Sequence, residues 1–467
     1  MSPSIVKHLI LPAHERLLGR GTLRYLWQLE QSQWWSHRHL QGLQEAKLRR
    51  LLIHTHRRSA FYRRRLDEAG IDPARARLDD FARLPPLTKT QITEHAHEMA
   101  DPKTPGGLFP YSTGGSTGSP LSFMMDRPRQ ASDQAARART RRWFGIDLGR
   151  RELYLWGSPV ELTAQDRLRA LRDRLANHRL LDAFNMTPRT MSRYLGELES
   201  FDPVHLFGYP SSLARLFRFA RETGRPIRAP SLRAVFVTGE VFDRADRAVL
   251  EESVSVPVAD GYGSREGGFI AHQCPLGAYH VTMESHIVEL LDAAGRPTNT
   301  GDCGEITITH LDALGMPFIR YRTGDMARRT GEPCPCGRGL ETLSAIEGRK
   351  TDMLRTADGG HAHGLSVIYV LREVPAIREF RIAQRPNLDL DVVVVLRREL
   401  TEAERGSIVR QLKKRIGGDI SVHLNVVEWI EPDPSGKYRH VVRLGESPIG
   451  PPAPATAGRS HLPSTAT

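Results

Sequence analysis

The feature that most constrains this chain is an alternation of short apolar segments with helical stretches between residues 101 and about 345. The apolar segments have the length and the β-branched and aromatic content of buried strands. Strands that alternate with helices form sheets whose faces the helices cover, so the pattern predicts an α/β core. The predicted strands are RELYLW (151–156), VHLFGY (204–209), RAVFVTGE (233–240) and GEITITH (304–310), and the predicted helices cover 165–180 and 188–200.

The two ends of the chain have different patterns. Residues 1–100 show amphipathic periodicity, which predicts a helical N-terminal part of a large domain whose α/β core covers 101–348. After IEGRKTD (346–352) the pattern predicts a small α+β domain over 349–445. The tail, 446–467, is rich in Pro, Ala, Ser and Thr, and we expect it to be disordered. The small domain is predicted from a strand in LDLDVVVVLRREL (388–400), a helix in TEAERGSIVRQLKKRIG (401–417) and a strand in ISVHLNVVEWI (420–430).

The chain is basic, with a formal charge of +12 over 467 residues. Only eight of the 66 basic residues are lysines, so arginine is enriched throughout the chain rather than in one binding surface. The densest basic run, 47–66, has apolar residues at helical spacing, which predicts a surface helix with a solvated basic face. A contact to an anionic partner is the alternative for this run. We expect no nucleic-acid partner.

The sequence also gives expectations about the cellular compartment. The N-terminal apolar patch IVKHLILP (5–12) is interrupted by Lys7 and His8 and has no small-residue cleavage site, so we expect no signal peptide. No run approaches the ~20 apolar residues of a membrane-spanning helix. These patterns predict a cytoplasmic protein with no membrane partner.

The segment YSTGGSTGSP (111–120) consists largely of Ser, Thr and Gly and cannot pack in a core. Clustered glycines let backbone N–H groups point into one concavity, and the hydroxyl groups add donors, which together suit phosphate oxygens. The segment is not a Walker-type P-loop, because Gly118 is followed by Ser119 and Pro120. Taken alone, it could also be a flexible linker.

Four further segments downstream place polar or charged residues at glycine turns. The carboxylate of Asp325 suits bidentate hydrogen bonding to the vicinal diol of a ribose. Lys437 could meet negative charge that builds on a phosphoryl or carboxylate oxygen. Taken singly, Asp325 could cap a turn, Lys437 could be solvated, and Tyr262 could belong to the core. The four segments are DGYGSREGG (260–268), YRTGD (321–325), EGRKTD (347–352) and PDPSGKYR (432–439).

Five segments resemble, in order along the chain, the motifs of the adenylate-forming superfamily of acyl-CoA synthetases: STGGSTGSP, YGSRE, YRTGD, GRKTD and SGK. Two further segments are similar to sequences of the branch that contains phenylacetate–CoA ligases and their capsule-biosynthesis relatives: LPPLTK (84–89) and FGYPSSLA (207–214). The resemblance covers roughly residues 40–445. It implies a large N-terminal adenylate-forming domain with covered β-sheets, whose core at 101–348 binds AMP, and a small mobile C-terminal α+β domain. Family members rotate the small domain between their two reactions.

The resemblance also implies a nucleotide site. Gly239 and Glu240 would lie against the adenine, and Tyr262 would stack on the adenine or line the acyl pocket, next to Gly263 and Ser264. Asp325 would bind the ribose hydroxyls. The β- and γ-phosphates of ATP would be held by Ser112, Thr113, Gly114, Gly115, Ser116, Thr117 and Gly118.

Four charged residues would serve the chemistry and the domain rotation in the same resemblance. Glu266 would help to hold Mg²⁺, and Lys437 would promote attack of the substrate carboxylate on the α-phosphate. Arg265 stands where many relatives have Thr or Ser, and it could take over the α-phosphate contact. Arg349 would lie at the boundary where the small domain pivots.

This sequence departs from the family pattern at two further positions. Many members have Lys after the proline of the phosphate loop, and this chain has Leu121. The usual hinge carboxylate two places after Arg349 is replaced by Thr351, with Asp352 next, so the identity of the pivot residue stays open.

Three of the four cysteines and one histidine form two close pairs in the sequence. Cys274 and His280 have the spacing C-x5-H, and Cys334 and Cys336 have the spacing C-x-C. A Cys3His set suits tetrahedral zinc, and four protein ligands make such a site structural. Some relatives in the branch carry such a zinc. His272 is the competing histidine, and Cys303 is left over as a core thiol. Four unrelated thiol and imidazole groups, or a nucleic-acid-binding zinc ribbon, are the alternatives.

The function that the resemblance implies is ATP-dependent activation of a carboxylic acid to an acyl-adenylate, followed by thioester formation with coenzyme A. An adenylating enzyme that transfers the acyl or AMP group to another acceptor, in capsule or secondary-metabolite biosynthesis, is the first alternative. An inactive zinc-containing binding protein is the second. The expected cofactors are ATP, Mg²⁺, coenzyme A and a structural Zn²⁺, and the resemblance is compatible with a homodimer.

Overall fold

The structure is a computed structural model in which the chain folds into two compact units. The first unit comprises the described residues of Met1–Met353 and Trp429–His440, and the second comprises the described residues of Leu354–Glu428 and those from Val441 onward. Within the described residues, no helix has both the length and the apolar character needed to cross a membrane. The described residues are 1–112, 121–157, 172–183, 186–349, 353–357, 361–363, 367–368, 370–371, 374–417, 419–430 and 440–444.

The helices of the first unit lie mainly in its N-terminal part and between its parallel strands. A π-helical turn, Val6–Ile10, connects the first two. The α-helices are Pro3–Ile5 (α1), Leu11–Leu17 (α2), Thr22–Ser32 (α3), His37–Arg58 (α4), Ala60–Glu68 (α5), Leu78–Phe81 (α6), Lys89–Met99 (α7), Arg127–Arg142 (α8), Pro188–Phe201 (α9), Pro210–Glu222 (α10) and Arg244–Ser253 (α11).

The basic run 47–66 is helical as predicted, but it forms parts of two helices rather than one. Ser59 has an extended backbone, and its hydroxyl accepts a hydrogen bond from the Tyr62 N–H, so it ends α4 and caps α5. A serine side chain that satisfies a free N–H favours such a helix start. The apolar side of the run is fully buried at Leu48, Leu51 and Leu52. The prediction of one continuous surface helix was therefore wrong.

The strands of the first unit form a two-stranded sheet and an eleven-stranded sheet. The small sheet pairs Phe109–Ser112 (β1) with Ser122–Met125 (β2). The large sheet has the order β10-β11-β12-β13-β9-β8-β7-β6-β5-β3-β4. Its strands are Glu152–Trp156 (β3), His178–Asp182 (β4), His205–Gly208 (β5), Ala234–Thr238 (β6), Val258–Ser264 (β7), Gly268–Gln273 (β8), Tyr279–Val281 (β9), His286–Leu291 (β10), Cys303–His310 (β11), Tyr321–Arg329 (β12) and Thr342–Arg349 (β13).

One half of the large sheet is parallel and the other half is antiparallel. The neighbours β4, β3, β5, β6 and β7 run parallel to one another. From β7 outward, β8, β9, β13, β12, β11 and β10 pair antiparallel. The strands predicted at 151–156, 204–209, 233–240 and 304–310 are all present, because their apolar residues are buried on a covered sheet.

The helix predicted over 165–180 is wrong at its end. Residues 172–175 are helical, but His178–Asp182 forms β4, which pairs parallel with β3. The change occurs at Asn177, whose φ of 59° lies in the left-handed region that ends helices. The Asn177 side chain donates to the Gly149 carbonyl at 2.8 Å, which holds this turn against the neighbouring loop.

Helices cover both faces of the parallel half of the sheet. One face packs against α9, α10 and α11 through a buried apolar cluster that includes Leu155, Leu206, Val237 and Phe217. The other face carries aromatic side chains toward α8. Arginines of that helix lie over the rings of Tyr154 and Phe207. This architecture confirms the predicted large α/β domain with a covered sheet.

The second unit contains a four-stranded sheet of order β18-β17-β16-β19 and one long helix. The helix α12 (Glu402–Ile416) begins at Thr401, whose hydroxyl accepts from the Glu404 N–H in a capping box. Strands and helix appear where the sequence pattern predicts them. The tail predicted to be disordered, 446–467, lies outside the described residues. Among the described residues after 350, the strands are Met353–Arg355 (β14), His361–His363 (β15), Ile377–Gln384 (β16), Leu390–Leu396 (β17), Val422–Val426 (β18) and Val441–Arg443 (β19).

Candidate functional site

A tight hairpin of β7 and β8 carries the YGSRE motif. Glycine is required at two positions of β7 because the neighbouring strand approaches closely. A Cβ atom on Gly263 would lie 2.5 Å from the Gly268 carbonyl oxygen, and one on Gly261 would lie 2.8 Å from Cδ2 of His272. The Ser264 hydroxyl accepts from the Gly267 N–H at 2.8 Å and closes the turn. The turn therefore holds its charged residues in a fixed position.

Tyr262 and Asp325, which are distant in the sequence, are in direct contact. The Tyr262 hydroxyl donates to Oδ2 of Asp325 at 2.8 Å and lies 3.3 Å from the Thr323 hydroxyl. Burial raises the pKa of Tyr262 well above its ordinary value, and the Asp325 carboxylate raises it further. The phenol therefore stays protonated and orients one oxygen of the carboxylate.

Asp325 follows a glycine that the turn requires. Gly324 has a φ of +79°, which is unfavourable for other residues, and the Asp325 N–H donates to the Thr323 hydroxyl at 3.1 Å. Asp325 is also paired across the ladder with Arg349, the last residue of β13. The backbone thus brings the predicted ribose-binding and pivot residues to the same end of two paired strands.

The turn between β7 and β8 reaches the start of the predicted phosphate loop. Nη1 of Arg265 donates to the Ser112 carbonyl at 2.9 Å, and its guanidinium lies 5.6 Å from the Tyr111 ring centroid. Glu266 is half-buried, and its Oε1 lies 3.5 Å from the hydroxyl of Tyr321. Three of the sequence motifs therefore meet at this turn.

Gly239 and Glu240 lie just beyond the carboxyl end of β6. Gly239 has a φ of +83°, and a Cβ atom there would lie 3.2 Å from Cε1 of Tyr209 and 3.3 Å from Cη2 of Trp156. The Tyr209 and Trp156 rings stack at 4.0 Å with an angle of 20°. Close approach to this aromatic pair explains the glycine.

Glu240 is held by the first turn of α10. Its Oε2 accepts from the Ser211 hydroxyl at 2.6 Å and from the Ser211 N–H at 3.3 Å. A carboxylate at a helix N-terminus is stabilised by the free N–H groups and by the helix dipole. The predicted adenine-side residues therefore lie at the carboxyl ends of parallel strands, where open α/β sheets bind ligands.

Two groups of predicted residues lie outside the described residues. Ser112 is the last described residue before the first group, which consists of Thr113, Gly114, Gly115, Ser116, Thr117 and Gly118. Lys437 belongs to the second. Their predicted roles remain predictions.

The cysteines and the histidine predicted as ligands form one cluster. Sγ of Cys274 and Sγ of Cys334 are 3.8 Å apart, and Sγ of Cys336 is 3.3 Å from Nε2 of His280. The ligand atoms of all four residues lie within 4.8 Å of one another. The competing His272 is absent from this group of described residues, and its Nδ1 instead lies 2.8 Å from the Gln273 carbonyl oxygen.

Two equivalent turns build the cluster from the pattern Cys-Pro-x-Gly at 274–277 and 334–337. In each turn the glycine N–H donates to the carbonyl of the first cysteine, at 2.8 Å for Gly277 and 3.2 Å for Gly337. Both glycines have positive φ, which the turns require. The arrangement can chemically hold a soft or borderline metal ion in a tetrahedral site.

Sequence analysis missed a buried polar cluster behind the β7–β8 turn. Oδ1 of Asp133 accepts from the Phe269 N–H at 2.9 Å and lies 3.3 Å from Nε2 of His310. Nε2 of His286 lies 2.8 Å from the Gly267 carbonyl. Burial alone would raise the pKa of Asp133, but His310 and Arg129 together hold it well below its usual range. The carboxylate is therefore ionised and fixes the backbone of the turn.

The sequence contained one signal for this cluster. Arg129 and Asp133 are four residues apart on α8, and Nη2 of Arg129 donates to the Arg265 carbonyl at 2.7 Å. The spacing predicts a neighbouring pair on a helix. It does not reveal partners more than 130 residues away.

A second buried carboxylate lies in β7, two residues before Tyr262. Burial raises the pKa of Asp260 to about 7, although the Tyr279 hydroxyl donates a hydrogen bond to it. The Asp260 N–H donates to the Gln273 side chain at 2.9 Å. Asp260 therefore changes charge near neutral pH inside the fold that positions the site.

The chain is similar to known proteins over most of its length. A family model described as the CapK C-terminal domain matches residues 354–444. A phenylacetate–coenzyme A ligase of Thermus thermophilus is 26% identical over 87% of this chain and 96% of its own length. Protein CapK of Staphylococcus aureus is 21% identical over 86% of this chain and 88% of its own length.

A solved structure has the same fold. A 2-hydroxyisobutyryl-CoA ligase, in the postadenylation state and in complex with 2-HIB-AMP, matches with a TM-score of 0.69 and 22% identity over 86% of this chain and 88% of its own. The fold is thus that of adenylate-forming CoA ligases. Together these matches confirm the resemblance to the adenylate-forming superfamily that the sequence motifs indicate.

We predict that Asp260→Asn makes the protein more stable than the wild type at pH 8. The folded-state pKa of about 7 lies above the ordinary carboxyl value of ~3.9, so the fold favours the protonated form. The free energy of unfolding of the wild type should therefore fall by at most about 4 kcal/mol as pH rises from ~4 to ~7, and it should then level off. Asparagine stays neutral, and urea unfolding at pH 4.5 and pH 8 measures the difference.

Asp292, which is partly exposed and paired with Arg296 at 2.9 Å, is the matched control. Its pKa is lowered, first by the Arg296 N–H, so Asp292→Asn should have a small effect of the opposite sign. An Asp260→Asn variant whose stability relative to wild type is the same at both pH values would contradict the prediction.

Proposed function

We propose that this protein activates a carboxylic acid with ATP to an acyl-adenylate and then transfers the acyl group to coenzyme A. The observation that carries the proposal is the β7–β8 turn, where Arg265 contacts the Ser112 carbonyl and Tyr262 contacts Asp325. Residues from three motifs of adenylate-forming enzymes meet there, beside the carboxyl ends of parallel strands. The phenylacetate–CoA ligase relative supports the same reaction.

The reaction has two balanced steps. In the first, a carboxylate oxygen of the acid attacks the α-phosphorus of ATP, and pyrophosphate leaves. In the second, the thiolate of coenzyme A attacks the acyl carbonyl carbon, and AMP leaves with the carboxyl oxygen. Adenylation is needed because a carboxylate is a poor electrophile.

The contacts of the described residues support particular roles. The Asp325 carboxylate, with one oxygen oriented by Tyr262, suits the ribose hydroxyls. Arg265 suits the α-phosphate, because a guanidinium binds phosphate oxygens in a planar fork. Glu266, half-buried, offers carboxylate oxygens of the kind that Mg²⁺ prefers, and bound Mg²⁺ would offset phosphate charge. Gly239 and Glu240 would border the adenine.

We assign the remaining roles to residues outside the described ranges. The segment from Thr113 to Gly118 would donate to the β- and γ-phosphates after Ser112. Lys437 would neutralise charge as the carboxylate attacks. A small mobile C-terminal domain over 349–445, pivoting near Arg349, would bring Lys437 to the site for the first step only.

We predict that Lys437→Ala lowers the rate of acid-dependent ATP–pyrophosphate exchange by roughly 100-fold or more, because the charge acts mainly in the transition state. ATP affinity, measured by calorimetry, should change little. Lys414→Ala, at an exposed position of α12, is the control and should leave both values unchanged. Unaltered exchange in Lys437→Ala would reject the role of this lysine.

Asp325→Ala should weaken ATP binding by roughly 10- to 100-fold, because a carboxylate paired with two hydroxyl groups is lost. Calorimetry with ATP and with 2′,3′-dideoxy-ATP separates this contact from damage to the fold. The wild type should bind the dideoxy nucleotide weakly, and Asp325→Ala should bind both nucleotides alike. Equal losses for both nucleotides would show that the effect is structural.

A non-CoA acceptor is the second candidate, and one observation favours it. The C-terminal match is to the CapK C-terminal domain, and protein CapK is among the relatives. Exchange with a panel of aromatic and short acids tests the adenylation step common to both candidates. Thioester formation on addition of coenzyme A then supports the CoA ligase, and exchange without thioester supports the other acceptor. No exchange with any acid would favour the inactive zinc-containing binding protein.

We also propose a structural zinc held by Cys274, His280, Cys334 and Cys336. Four ligands around Zn²⁺ with ~2.3 Å Zn–S bonds place tetrahedral sulfurs ~3.8 Å apart. The Cys274–Cys334 separation of 3.8 Å fits this geometry and is too long for a disulfide. The ion would tie the loop after β8 to the loop between β12 and β13.

Purified protein should contain about one zinc per chain, measured by elemental analysis. Cys336→Ser should lose most of the zinc and melt at a lower temperature, because the two loops are no longer joined. Cys303, which lies outside the cluster, provides the control: Cys303→Ser should keep the full zinc content. Wild-type protein without zinc, prepared with no chelator, would overturn the proposal.

A further inference from the structure

The inner side of α8 carries a row of charged residues at four-residue spacing. Arg129, Asp133, Arg137 and Arg141 therefore lie on one side of the helix. Three of them have strong partners. Arg129 donates to the Arg265 carbonyl, Asp133 accepts from Phe269, and Nη1 of Arg141 donates to Oε1 of Glu152 at 2.8 Å.

Arg137 is the exception in this row. Its Nε is buried without a hydrogen-bond partner among the described residues, as is Nε of Arg129, but Arg137 also has no hydrogen bond or ion pair through its other guanidinium nitrogens within those residues. Its neighbours are aromatic: the guanidinium carbon lies 5.7 Å from the Phe207 ring centroid and 6.0 Å from that of Phe269. Ring faces attract a cation, but they do not replace an acceptor for the N–H groups.

Among the described residues, the titratable groups near Arg137 form no ion pair with it, although the Asp133 carboxylate lies four residues earlier on the same side of α8. Burial raises the pKa of Tyr154, against the pull of Arg141 and Arg137, so the phenol is neutral. An arginine side chain keeps its charge in a protein, and no ion pair compensates the Arg137 cation within the part of the chain that the structure describes.

An aromatic wall connects Arg137 with the proposed nucleotide site. The Phe207 ring lies 5.4 Å from the Trp156 ring, and Trp156 stacks on Tyr209, which contacts the position of Gly239. Phe269, on the other side, comes three residues after Glu266. Arg137 therefore lies between the two strands, β5 and β8, whose ends carry the proposed site.

A cation that is partly buried without a partner is unfavourable in the free protein. A ligand with an anionic or hydrogen-bond-accepting group can provide the missing partner. Arg139, two residues further along α8, has such a partner within the fold: its Nη1 pairs with Glu284 at 2.6 Å, although its Nε and Nη2 have none among the described residues. Within the described residues, Arg139 therefore has a carboxylate partner and Arg137 has none.

We propose that Arg137 is a specificity-determining residue of the acid-binding pocket and that the acid carries a second anionic or hydrogen-bond-accepting group, far from the carboxylate that is activated. The flat rings of Phe207, Phe269 and Trp156 suit an aromatic body between the two groups. The substrate class is thus an aromatic acid with an acceptor substituent. This inference rests on the proposed function.

The test compares matched acids in ATP–pyrophosphate exchange: phenylacetate with its 3- and 4-carboxy derivatives, and benzoate with its 3- and 4-carboxy derivatives. The wild type should favour a carboxy-substituted member by roughly 10- to 100-fold in kcat/KM. Arg137→Met should abolish this preference, so that kcat/KM becomes similar for the substituted and unsubstituted acids, because methionine keeps the apolar contacts but has no hydrogen-bond donor. Arg137→Lys should retain part of the preference.

Melting temperature gives a second readout. Substitution of a residue that stabilises the fold would lower the melting temperature, whereas removal of an unpartnered cation should leave the melting temperature unchanged or raise it. Arg193→Met is the matched control, because this exposed arginine also lies over a ring, 5.4 Å from the Tyr194 centroid, and should not alter acid preference.

The outcomes separate this inference from the proposed function. Exchange with no acid in the wild type would reject the function and the inference with it. Wild-type exchange with a preference for unsubstituted acids, or an equal loss on both members of each pair in Arg137→Met, would reject the inference alone. A melting temperature that falls in Arg137→Met while the preference persists would make Arg137 structural.

Discussion

The pairing of buried charge along α8 is the interaction on which the rest of the large unit depends. The helix has the sequence RPRQASDQAARARTRR and no continuous apolar stripe, yet it is packed against the sheet. Burial of a charged helix is possible only because partners from distant segments neutralise it. Glu284 pairs with Arg139, Glu152 with Arg141, and His310 with Asp133. Since each partner belongs to a different strand or loop, these pairs also fix the sheet relative to the helix.

The same pairs determine how rigid the candidate site is. The β7–β8 turn has little apolar anchoring of its own, and it is held from behind by Asp133, which binds the Phe269 N–H, and by Arg129, which binds the Arg265 carbonyl. Both contacts go to backbone groups of the turn, so neither of them occupies the side chain of Arg265 or Glu266. A turn fixed in advance lowers the reorganisation needed when charge develops on a phosphate.

The sequence predicted those parts of the fold that local patterns encode. The strands at 204–209 and 304–310 follow from apolar runs, and α12 follows from its capping box and periodicity. β4 was mistaken for helix because the helical pattern continues past Asn177, where only the backbone conformation reveals the break. The Cys3His grouping was readable because its ligands occur in two short motifs. The polar cluster behind the β7–β8 turn could not be predicted from the sequence, since Asp133 and His310 are 177 residues apart.

Two ionisable groups near the same strands, the buried Asp260 and the half-buried Arg137, form no ion pair within the described residues. Burial affects their charges differently. Asp260 can become neutral, since burial raises its pKa to about 7 and the Tyr279 hydroxyl still finds an acceptor. Arg137 cannot, because a guanidinium does not lose its proton in a protein. No carboxylate in the described part of the chain pairs with it, so a partner carried by a bound ligand would compensate its charge. An enzyme that binds small carboxylic acids handles such partners in every turnover, so an unpaired arginine beside its site can contribute to substrate selection at a cost in stability.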